Sequence, residues 1–400
     1  MTEPIERIEE EAVHISTPST TLTTPKDAED QQAMKINTTR QSLLDALLVV
    51  SRAVSARAAL QALSGILITT NGGARLRATD MELGLEVGLD GEIEGGGSVV
   101  LPGRLLVEVA RSLPDGPVTL ALREAERDIE LSAGSSRFHL RTLPADDFPR
   151  FPETEGDPVE LPAAPLRDTI NRVARAASRD EARPVLTGVL VTVEGDAMTM
   201  VATDSYRLAV KTTKLESSVP DRLEANVPAR ALRELARLIE AGGEDTLSVW
   251  LTRNQAIFRV GSTSLSSRLI DGQFPNHSQL LPESYEHEVK LPRTELLEVT
   301  RRVSQLAQRN AALRLSFSDG ELVVSAETPD LGDAREALPA PYSGELLEIG
   351  FNPEFVRDGL ESIDSDEVVL KLISPLRPGL IEPSAEDDFS YLVMPIRLNV

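Results

Sequence analysis

Cysteine is absent from the 400 residues, which excludes disulfide bonds, thiolate catalysis and cysteine-bound zinc. Histidine is scarce as well, occurring only at His14, His139, His277 and His287. None of these has the spacing of a helical metal-binding motif such as H-E-x-x-H. The sequence therefore predicts no metal site and no cofactor.

Long apolar runs are also missing. No segment approaches the roughly 18–20 consecutive apolar residues that a membrane-spanning helix needs, and the N-terminus lacks a basic-then-apolar signal pattern. Aromatic residues make up 4% of the chain and hydrophobic residues 41%, so we expect aliphatic cores. These features are typical of a cytoplasmic protein that does not enter a membrane.

Common catalytic motifs do not occur. The sequence has no G-x-x-x-x-G-K-[ST] phosphate loop and no G-x-S-x-G nucleophile elbow. The adjacent carboxylates Asp146-Asp147 and Asp387-Asp388 lie near prolines or in loop-like stretches, where side chains usually diverge into water. A hydrolase that uses carboxylates assembled by folding stays open as an alternative.

Basic residues are outnumbered, since 41 lysines and arginines face 64 aspartates and glutamates, for a net charge of −23. That sum argues against a nucleic-acid partner, but its distribution is uneven. Residues 162–183, 228–240 and 292–310, which we predict to be helical, carry twelve bases and seven acids. Arginines at helical spacing suit a phosphate backbone, and an ion-paired solvated face is the alternative. The candidates are Arg172, Arg175, Arg179, Arg183, Arg230, Arg233, Arg237, Arg301, Arg302 and Arg309.

Residues 1–33 differ from the rest of the chain. They contain eight acids and two bases and are rich in Ser, Thr and Pro. Such a segment cannot bury enough apolar surface to offset the entropy of ordering it. We therefore predict a disordered acidic tail, with the first domain starting at Met34.

After Met34 the chain repeats itself about every 125 residues. "LRATDMELGLEV" around Asp80 matches "MVATDSYRLAVK" around Asp204, and helix-like segments after Pro102, Pro228 and Pro353 also match. Each copy has two proline-initiated helices and many alternating strands. The fold class is therefore α+β with antiparallel sheets. Three copies are predicted, at 34–156, 157–285 and 286–400.

The repeat separates structural from functional residues. Asp80 and Asp204 occur in equivalent turns, so we expect them to accept hydrogen bonds from the next backbone N–H groups. Tyr206 and Arg207, by contrast, occur in the second copy only. If the C-terminal "YLVMPIRL" lies beside them, the two segments form an apolar pocket for a short peptide, rimmed by Arg207 and Arg397.

Five motifs together carry a resemblance: "VATDSYRLAV", "RFHLRTLPADDFPRF", "SSRLIDGQFPNHSQLLP", "YSGELLEIGFNPEFV" and "YLVMPIRL". From Met34 to Leu398 the chain resembles the bacterial DNA polymerase III β subunit, the sliding-clamp family. The resemblance implies three tandem copies of the DNA-clamp fold, with sheets outside and two helices per copy lining a central hole. It also implies a head-to-tail homodimer, a six-domain ring around double-stranded DNA that is held without sequence preference.

The resemblance further implies a non-catalytic subunit. Its expected partners are the replicative DNA polymerase catalytic subunit, the clamp loader complex, and other repair and replication proteins. A peptide-binding scaffold that never contacts DNA remains the alternative. The implied DNA contacts include Arg57 and Arg183. The implied peptide-binding residues are Leu186, Thr203, Ser205, Tyr206, Arg207, Leu208, Pro275, Pro375, Leu392, Met394, Pro395, Ile396 and Arg397.

Overall fold

A computed structural model describes residues 33–55, 60–307 and 311–398. The predicted acidic tail, apart from Ala33, lies outside the described residues, as do Arg57, Arg309 and the terminal Asn399-Val400. The described ranges cover most of each of the three predicted copies.

Six α-helices and many β-strands alternate along the described residues. The helices are α1 (Arg40–Val50), α2 (Gly103–Ser112), α3 (Ala163–Val173), α4 (Ala229–Gly242), α5 (Arg293–Val303) and α6 (Pro353–Glu361). The strands are β1 (Lys35–Thr39), β2 (Gly65–Thr69), β3 (Arg75–Thr79), β4 (Leu83–Gly88), β5 (Glu92–Glu94), β6 (Ser98–Pro102), β7 (Pro117–Arg123), β8 (Asp128–Ala133), β9 (Ser136–Arg141), β10 (Val159–Pro162), β11 (Gly188–Thr203), β12 (Arg207–Pro228), β13 (Thr246–Leu251), β14 (Gln255–Val260), β15 (Thr263–Arg268), β16 (His287–Pro292), β17 (Leu313–Ser318), β18 (Glu321–Thr328), β19 (Gly332–Pro339), β20 (Leu347–Phe351), β21 (Glu367–Leu372), β22 (Gly379–Pro383) and β23 (Phe389–Val393).

The prediction of an α+β fold with two helices in each of three copies is confirmed. The helices pack in pairs, α1 with α2, α3 with α4 and α5 with α6. The helix-starting prolines sit one position earlier than predicted in most cases. Of these, only Pro353 is the first residue of its helix, and Pro102, Pro162, Pro228 and Pro292 occupy the N-cap position. The prediction of two proline-initiated helices in each copy is wrong for copy one, because α1 has Thr39 as its N-cap.

The apolar faces predicted for α3 and α4 are buried. Leu166, Ile170 and Val173 of α3 and Leu232 and Leu235 of α4 are each at most 2% exposed. Both helices pack on β11 and β12, and their apolar faces form one core with these strands. Burial of such aliphatic side chains is the main favourable term in folding.

The helix containing Arg172 is shorter than its arginine spacing predicts. α3 ends at Val173, and a short 3-10 turn covers Ala174–Ala176. Beyond it the backbone N–H of Ser178 donates to the carbonyl of Leu186, which draws the chain into a loop. The prediction of one helical stripe is therefore wrong for Arg179 and Arg183, which lie after the helix.

Strand pairing joins the three copies. β15, the last strand of copy two, pairs antiparallel with β4 of copy one, in an eight-stranded sheet. β23, the last strand of copy three, pairs in the same way with β12 of copy two, in a six-stranded sheet. Each joint thus places the last strand of one copy against the strand after the Asp-containing turn of the preceding copy.

Two further strands correspond to the strands that pair at the joints, but neither pairs with another copy. β9, the last strand of copy one, is the outer strand of the order β5-β1-β7-β8-β9. β19, which comes after the corresponding turn of copy three, is the outer strand of the order β19-β18-β17-β20. Among the described residues, each therefore presents a free edge.

The joint between copies two and three also contains a cluster of ion pairs. Arg172 of α3 contacts Asp364 at 2.7 Å and Asp387 at 2.5 Å, both in copy three. It also contacts Asp168 of its own helix at 2.9 Å. Lys211 of β12 contacts the same Asp387 at 2.5 Å. Two cations of copy two therefore hold copy three by charge as well as by strand pairing.

Asp387 is the acid on which both cations converge. Burial alone would raise the pKa of its carboxyl, but hydrogen bonds and charge interactions with Lys211 and Arg172 hold that pKa below its ordinary value. A carboxyl with a lowered pKa stabilises the folded chain above its unfolded pKa of about 4. This contribution is lost as the pH falls through that value toward the folded pKa.

We expect Asp387→Asn to lower the free energy of unfolding most near about pH 7 and progressively less below about pH 4, where the carboxyl of the unfolded wild-type chain takes up a proton and the advantage of the ionised form is lost. Urea unfolding at fixed salt over this range measures the difference. The control is Asp388→Asn, which changes the exposed neighbouring acid. The ion pairing of Asp387 would be contradicted if the difference in free energy of unfolding between wild type and Asp387→Asn stayed constant with pH.

Candidate functional site

The turn between β11 and β12 is held by its own side chains. Thr203 Oγ1 donates to the carbonyl of Arg207 at 2.7 Å and accepts from the N–H of Ser205 at 3.1 Å. Asp204 Oδ1 accepts from the N–H groups of Tyr206 and Arg207 at 2.9 and 3.0 Å. The prediction for this aspartate is confirmed, and its carboxyl is occupied by backbone rather than free for chemistry.

Copy one contains the same turn. Asp80 Oδ1 accepts from the N–H groups of Glu82 and Leu83 at 3.1 and 2.8 Å. Met81 has a φ of 78° and Ser205 a φ of 80°, so both equivalent positions adopt the left-handed region that favours glycine. The prediction for Asp80 is confirmed, and the turn is structural in both copies.

The C-terminal strand lies against this turn, as predicted. Arg207 pairs with Val393 and Leu208 with Leu392 in the antiparallel register of β12 and β23. Just beyond the strand, the N–H of Met394 donates to the carbonyl of Tyr206 at 2.8 Å. Segments almost two hundred residues apart in sequence thus form one surface.

That surface has an apolar floor and an exposed rim. A cluster of its own, separate from the main core, makes the floor: Val201, Leu208, Phe274, Leu380 and Leu392. Two large apolar side chains beside it remain exposed, Tyr206 at 61% and Met394 at 41%. An exposed apolar rim over an apolar floor is typical of a site for a hydrophobic partner. We call these residues the terminal pocket.

The predicted peptide-binding residues occupy different depths. Buried members are Leu186, Thr203, Arg207, Leu208 and Leu392; partly buried members are Pro395 and Ile396; exposed members are Ser205, Tyr206, Pro275, Pro375, Met394 and Arg397. Sequence reasoning missed Val201, Phe274 and Leu380 as pocket residues. The one available signal was the position of Phe274 directly before the predicted Pro275.

Arg207 does not line the rim, so that prediction is wrong. Its side chain is 6% exposed and pairs with Asp204 at 3.0 Å and Asp358 of α6 at 2.6 Å. It also donates to the hydroxyl of Tyr391 at 3.1 Å and lies 4.4 Å from the ring centroid of Phe355. The residue was expected at the surface because its acidic partner is far away in sequence.

The charge of Arg207 is stabilised where it lies. Burial alone would lower the pKa of its guanidinium, but Tyr391, Asp358 and Asp204 raise that pKa above its ordinary value. The residue connects the turn, helix α6 and strand β23. Arg207 therefore fixes the turn and strand β23, which form the terminal pocket, relative to α6.

Most candidate DNA-contacting arginines form ion pairs within the chain. Besides Arg172, these pairs are Arg175–Glu361 (2.7 Å), Arg183–Asp180 (2.8 Å), Arg230–Asp80 (2.5 Å), Arg237–Glu234 (3.1 Å), Arg301–Glu361 (2.9 Å) and Arg302–Glu336 (2.8 Å). Acids raise the pKa of Arg301, first through Glu361, and of Arg302, first through Glu336. These two cations are largely neutralised by neighbours.

Arg233 of α4 is surrounded by cations rather than by acids. Its guanidinium donates to the carbonyl of Ala174 although the residue as a whole is exposed. Its pKa is held below the ordinary value first by loss of hydration and then by the charges of Arg179, Arg207 and Arg237. Arg179 is exposed and makes no ion pair with any residue that the structure describes. We call Arg179, Arg233 and Arg237 the basic cluster.

Metal binding finds no support in the described residues, where no group of three or more potential ligands comes together. Likewise, no helix within those residues has both the length and the apolar composition to cross a membrane.

Family models for the N-terminal, central and C-terminal domains of the DNA polymerase III beta subunit match residues 34–152, 160–276 and 278–397. The chain belongs to the DNA polymerase III beta subunit family. The beta sliding clamp of Synechococcus elongatus is 34% identical over 376 residues, 92% of this chain and 100% of that relative.

Solved structures of the family agree with the fold. The sliding clamp of Bacillus subtilis has a TM-score of 0.87 at 28% identity, covering 92% of this chain and 100% of its own. The beta subunit of Pseudomonas aeruginosa, solved bound to griselimycin, has a TM-score of 0.84 at 32% identity with the same coverage. Like other beta subunits, this chain functions as a sliding clamp, a non-catalytic processivity subunit in DNA replication, so the hydrolase alternative is set aside.

This member of the beta subunit family has the terminal pocket at one joint only. The pair Leu208–Leu392 in the joint of copies two and three corresponds to Gly84–Ser266 in the joint of copies one and two. There the linker residue Phe151 covers the space, with its ring 3.5 Å from the point where a Cβ on Gly84 would lie. That joint has a different cavity, lined mainly by linker residues 148–152 together with Gly84 and Ser266, and it lacks the two leucines of the terminal pocket.

We expect Arg207→Met to lower the free energy of unfolding by about 3–5 kcal/mol, because it leaves Asp204 and Asp358 buried without their cation. Urea unfolding measures this change. Arg222→Met, in an exposed ion pair on the same strand, is the matched control and should change stability by under about 1 kcal/mol. Equal effects of the two substitutions would contradict the structural role of Arg207.

Proposed function

We propose that two copies of this chain close head to tail into a six-domain ring around double-stranded DNA. The ring tethers the replicative polymerase catalytic subunit and the clamp loader complex through the terminal pocket. The proposed domains are 34–156, 157–285 and 286–400, and the proposed location is the cytoplasm. The observation that carries this proposal is the repeated strand pairing at two joints, with β9 and β19 left at free edges.

Ring closure comes from continuing the same joint once more. β15 pairs with β4 and β23 pairs with β12, so the equivalent third pair is β9 with β19. Within one chain β9 and β19 belong to separate sheets, and pairing between two chains satisfies both edges. Two such contacts related by a two-fold axis form a closed dimer.

The two free edges carry opposite formal charge. β9 carries the exposed cations Arg137 and Arg141, a charge of +2. β19 carries exposed Asp333 and Arg335 and partly buried Glu336, which also pairs with Arg302, a charge of −1. Opposite charges across an antiparallel pair favour pairing, and like charges oppose it.

We expect the double charge reversal Arg137→Glu with Arg141→Glu to convert the dimer into single chains. Native mass spectrometry at low micromolar concentration measures the oligomeric state. The matched control, Lys214→Glu with Arg222→Glu, reverses two exposed charges on β12 and should leave the dimer intact. A wild-type chain that is a single protomer, or a β9 variant that stays dimeric, would contradict the proposed closure.

DNA contact is proposed mainly at the basic cluster, with Arg183 in the loop of Arg179, whereas Arg230 is assigned to the joint with copy one because its guanidinium contacts Asp80. Phosphates bind where positive charge is in excess, and the lowered pKa of Arg233 reflects such an excess. Arg172 and Arg175 are assigned to the joint instead, since their guanidinium groups already contact acids of copy three. No base-reading element is needed, because contacts to the backbone alone carry no sequence information.

We expect Arg179→Ala with Arg237→Ala to weaken DNA binding. The slope of the logarithm of the binding constant against the logarithm of the salt concentration should become shallower by about 1–2, as expected when about one or two phosphate contacts are lost. Fluorescence anisotropy of a labelled duplex over a salt series measures both quantities. Arg301→Ala with Arg302→Ala is the control, since acids surround both cations. A control effect as large as that of the first pair would contradict the assignment.

The terminal pocket suits a peptide with large apolar side chains. Its floor is apolar, its rim includes Tyr206 and Met394, and the exposed cation Arg397 lies next to Ile396. Short peptides that bind in such pockets anchor through a few side chains while a nearby cation meets an acidic group. Polymerase and loader subunits would use the same pocket in turn.

A further inference from the structure

Arg183 lies between the basic cluster and the terminal pocket. Its Nε donates to Asp180 Oδ2 at 2.8 Å, in the loop that comes after α3 and contains Arg179. Its Nη1 donates to Ser205 Oγ at 3.0 Å, in the turn that borders the terminal pocket. One exposed side chain therefore contacts a neighbour of each surface, Asp180 next to Arg179 and Ser205 next to Tyr206.

The serine is what allows this contact. Ser205 has a φ of 80° and the equivalent Met81 a φ of 78°, so the two turns share a backbone conformation that disfavours a side chain. Met81 carries a thioether, a far weaker acceptor than a hydroxyl. A strong hydrogen-bonded bridge to the loop can therefore form at Ser205 and not at Met81.

The turn transmits the contact to the rim of the terminal pocket. The N–H of Ser205 donates to Thr203 Oγ1 at 3.1 Å, which fixes the start of the turn. The next residue, Tyr206, accepts from the N–H of Met394 at 2.8 Å. The position of Ser205 thus affects Tyr206 and Met394, the two exposed residues of the rim.

The remaining donors of Arg183 face no protein partner. Nε and Nη1 are used, and Nη2 makes no hydrogen bond with any residue that the structure describes. A DNA phosphate at Nη2 would hold the guanidinium in the conformation that already contacts Ser205. DNA and peptide then favour the same conformation of the Arg183 side chain. The rotamer entropy that is lost when this side chain becomes ordered is therefore lost only once.

We propose that Arg183 couples the two sites, so that DNA in the ring strengthens peptide binding and peptide strengthens DNA binding by the same factor. Coupling of this kind is reciprocal, because whichever ligand orders Arg183 first removes that cost for the other. A single exposed charge-assisted hydrogen bond supports a factor of about three. The inference rests on the proposed function, specifically on DNA contact at the loop of Arg179 and Arg183.

Two readouts with and without a short DNA duplex test the coupling in the full-length chain. The first is amide hydrogen exchange of residues 203–207, and the second is the affinity for fluorescently labelled griselimycin, the ligand of the Pseudomonas relative. In the wild type, DNA slows the exchange and tightens the probe about threefold. Ser205→Gly keeps the positive φ available and removes the short side chain with its hydroxyl, so both effects of DNA, on the turn and on the probe, disappear.

Met81→Gly is the matched control, because it makes the same kind of change in the equivalent turn where the serine hydroxyl is missing. It should retain the wild-type response to DNA. The coupling is overturned if the DNA effects persist in Ser205→Gly, or if wild-type DNA binding slows exchange at residues 179–183 while residues 203–207 are unaffected. Failure of the proposed function has a different signature, since DNA would then protect neither this loop nor α4.

Discussion

Antiparallel pairing between the last strand of one copy and the strand after the turn of the preceding copy determines the rest of this structure. It joins β15 to β4 and β23 to β12, and it makes each sheet continuous across a joint. A strand edge satisfied in this way cannot recruit other chains. The same rule leaves β9 and β19 at free edges within the described residues, and these are the edges at which we propose that a second chain pairs.

Charge at the joints explains why an acidic chain can surround DNA. At the joint of copies one and two, Arg52 contacts Glu234 at 2.5 Å and Arg230 contacts Asp80 at 2.5 Å. At the next joint, Arg172 contacts Asp364 and Asp387. Acids therefore neutralise many arginines, including Arg237 through Glu234, while Arg179 and Arg233 keep a positive excess. Weak contacts suffice for a clamp, because a closed ring is retained by its topology.

Local patterns predicted the framework well. The repeated aspartate turns identified Asp80 and Asp204 as backbone acceptors, and both accept the expected N–H groups. Apolar spacing predicted the buried faces of α3 and α4, because a helix periodicity depends on neighbours three and four residues away. Proximity of the C-terminal strand to the "SYRL" turn was considered from the sequence as a condition for a pocket and was otherwise implied by the family resemblance.

Interactions between distant residues were not predictable in this way. Arg207 was expected at the surface, and its burial depends on Asp358, 151 residues away in sequence. Helix periodicity predicted that Arg179 lies on the same helical face as Arg172. However, α3 ends at Val173, and the hydrogen bond from Ser178 to Leu186 places Arg179 in a loop. The covering of Gly84 by Phe151 likewise depends on the path of a linker. Each miss concerns a partner that only the folded chain brings near.

Retention on closed circular DNA tests the central claim most directly. The chain would be loaded onto a nicked circular duplex by the clamp loader of its own organism and then washed at a salt concentration that abolishes ionic contacts. Ring closure predicts that the chain stays on the circle and leaves within minutes once a restriction enzyme cuts it. Loss from the intact circle at high salt, or equal retention on circular and linear DNA, would contradict the account.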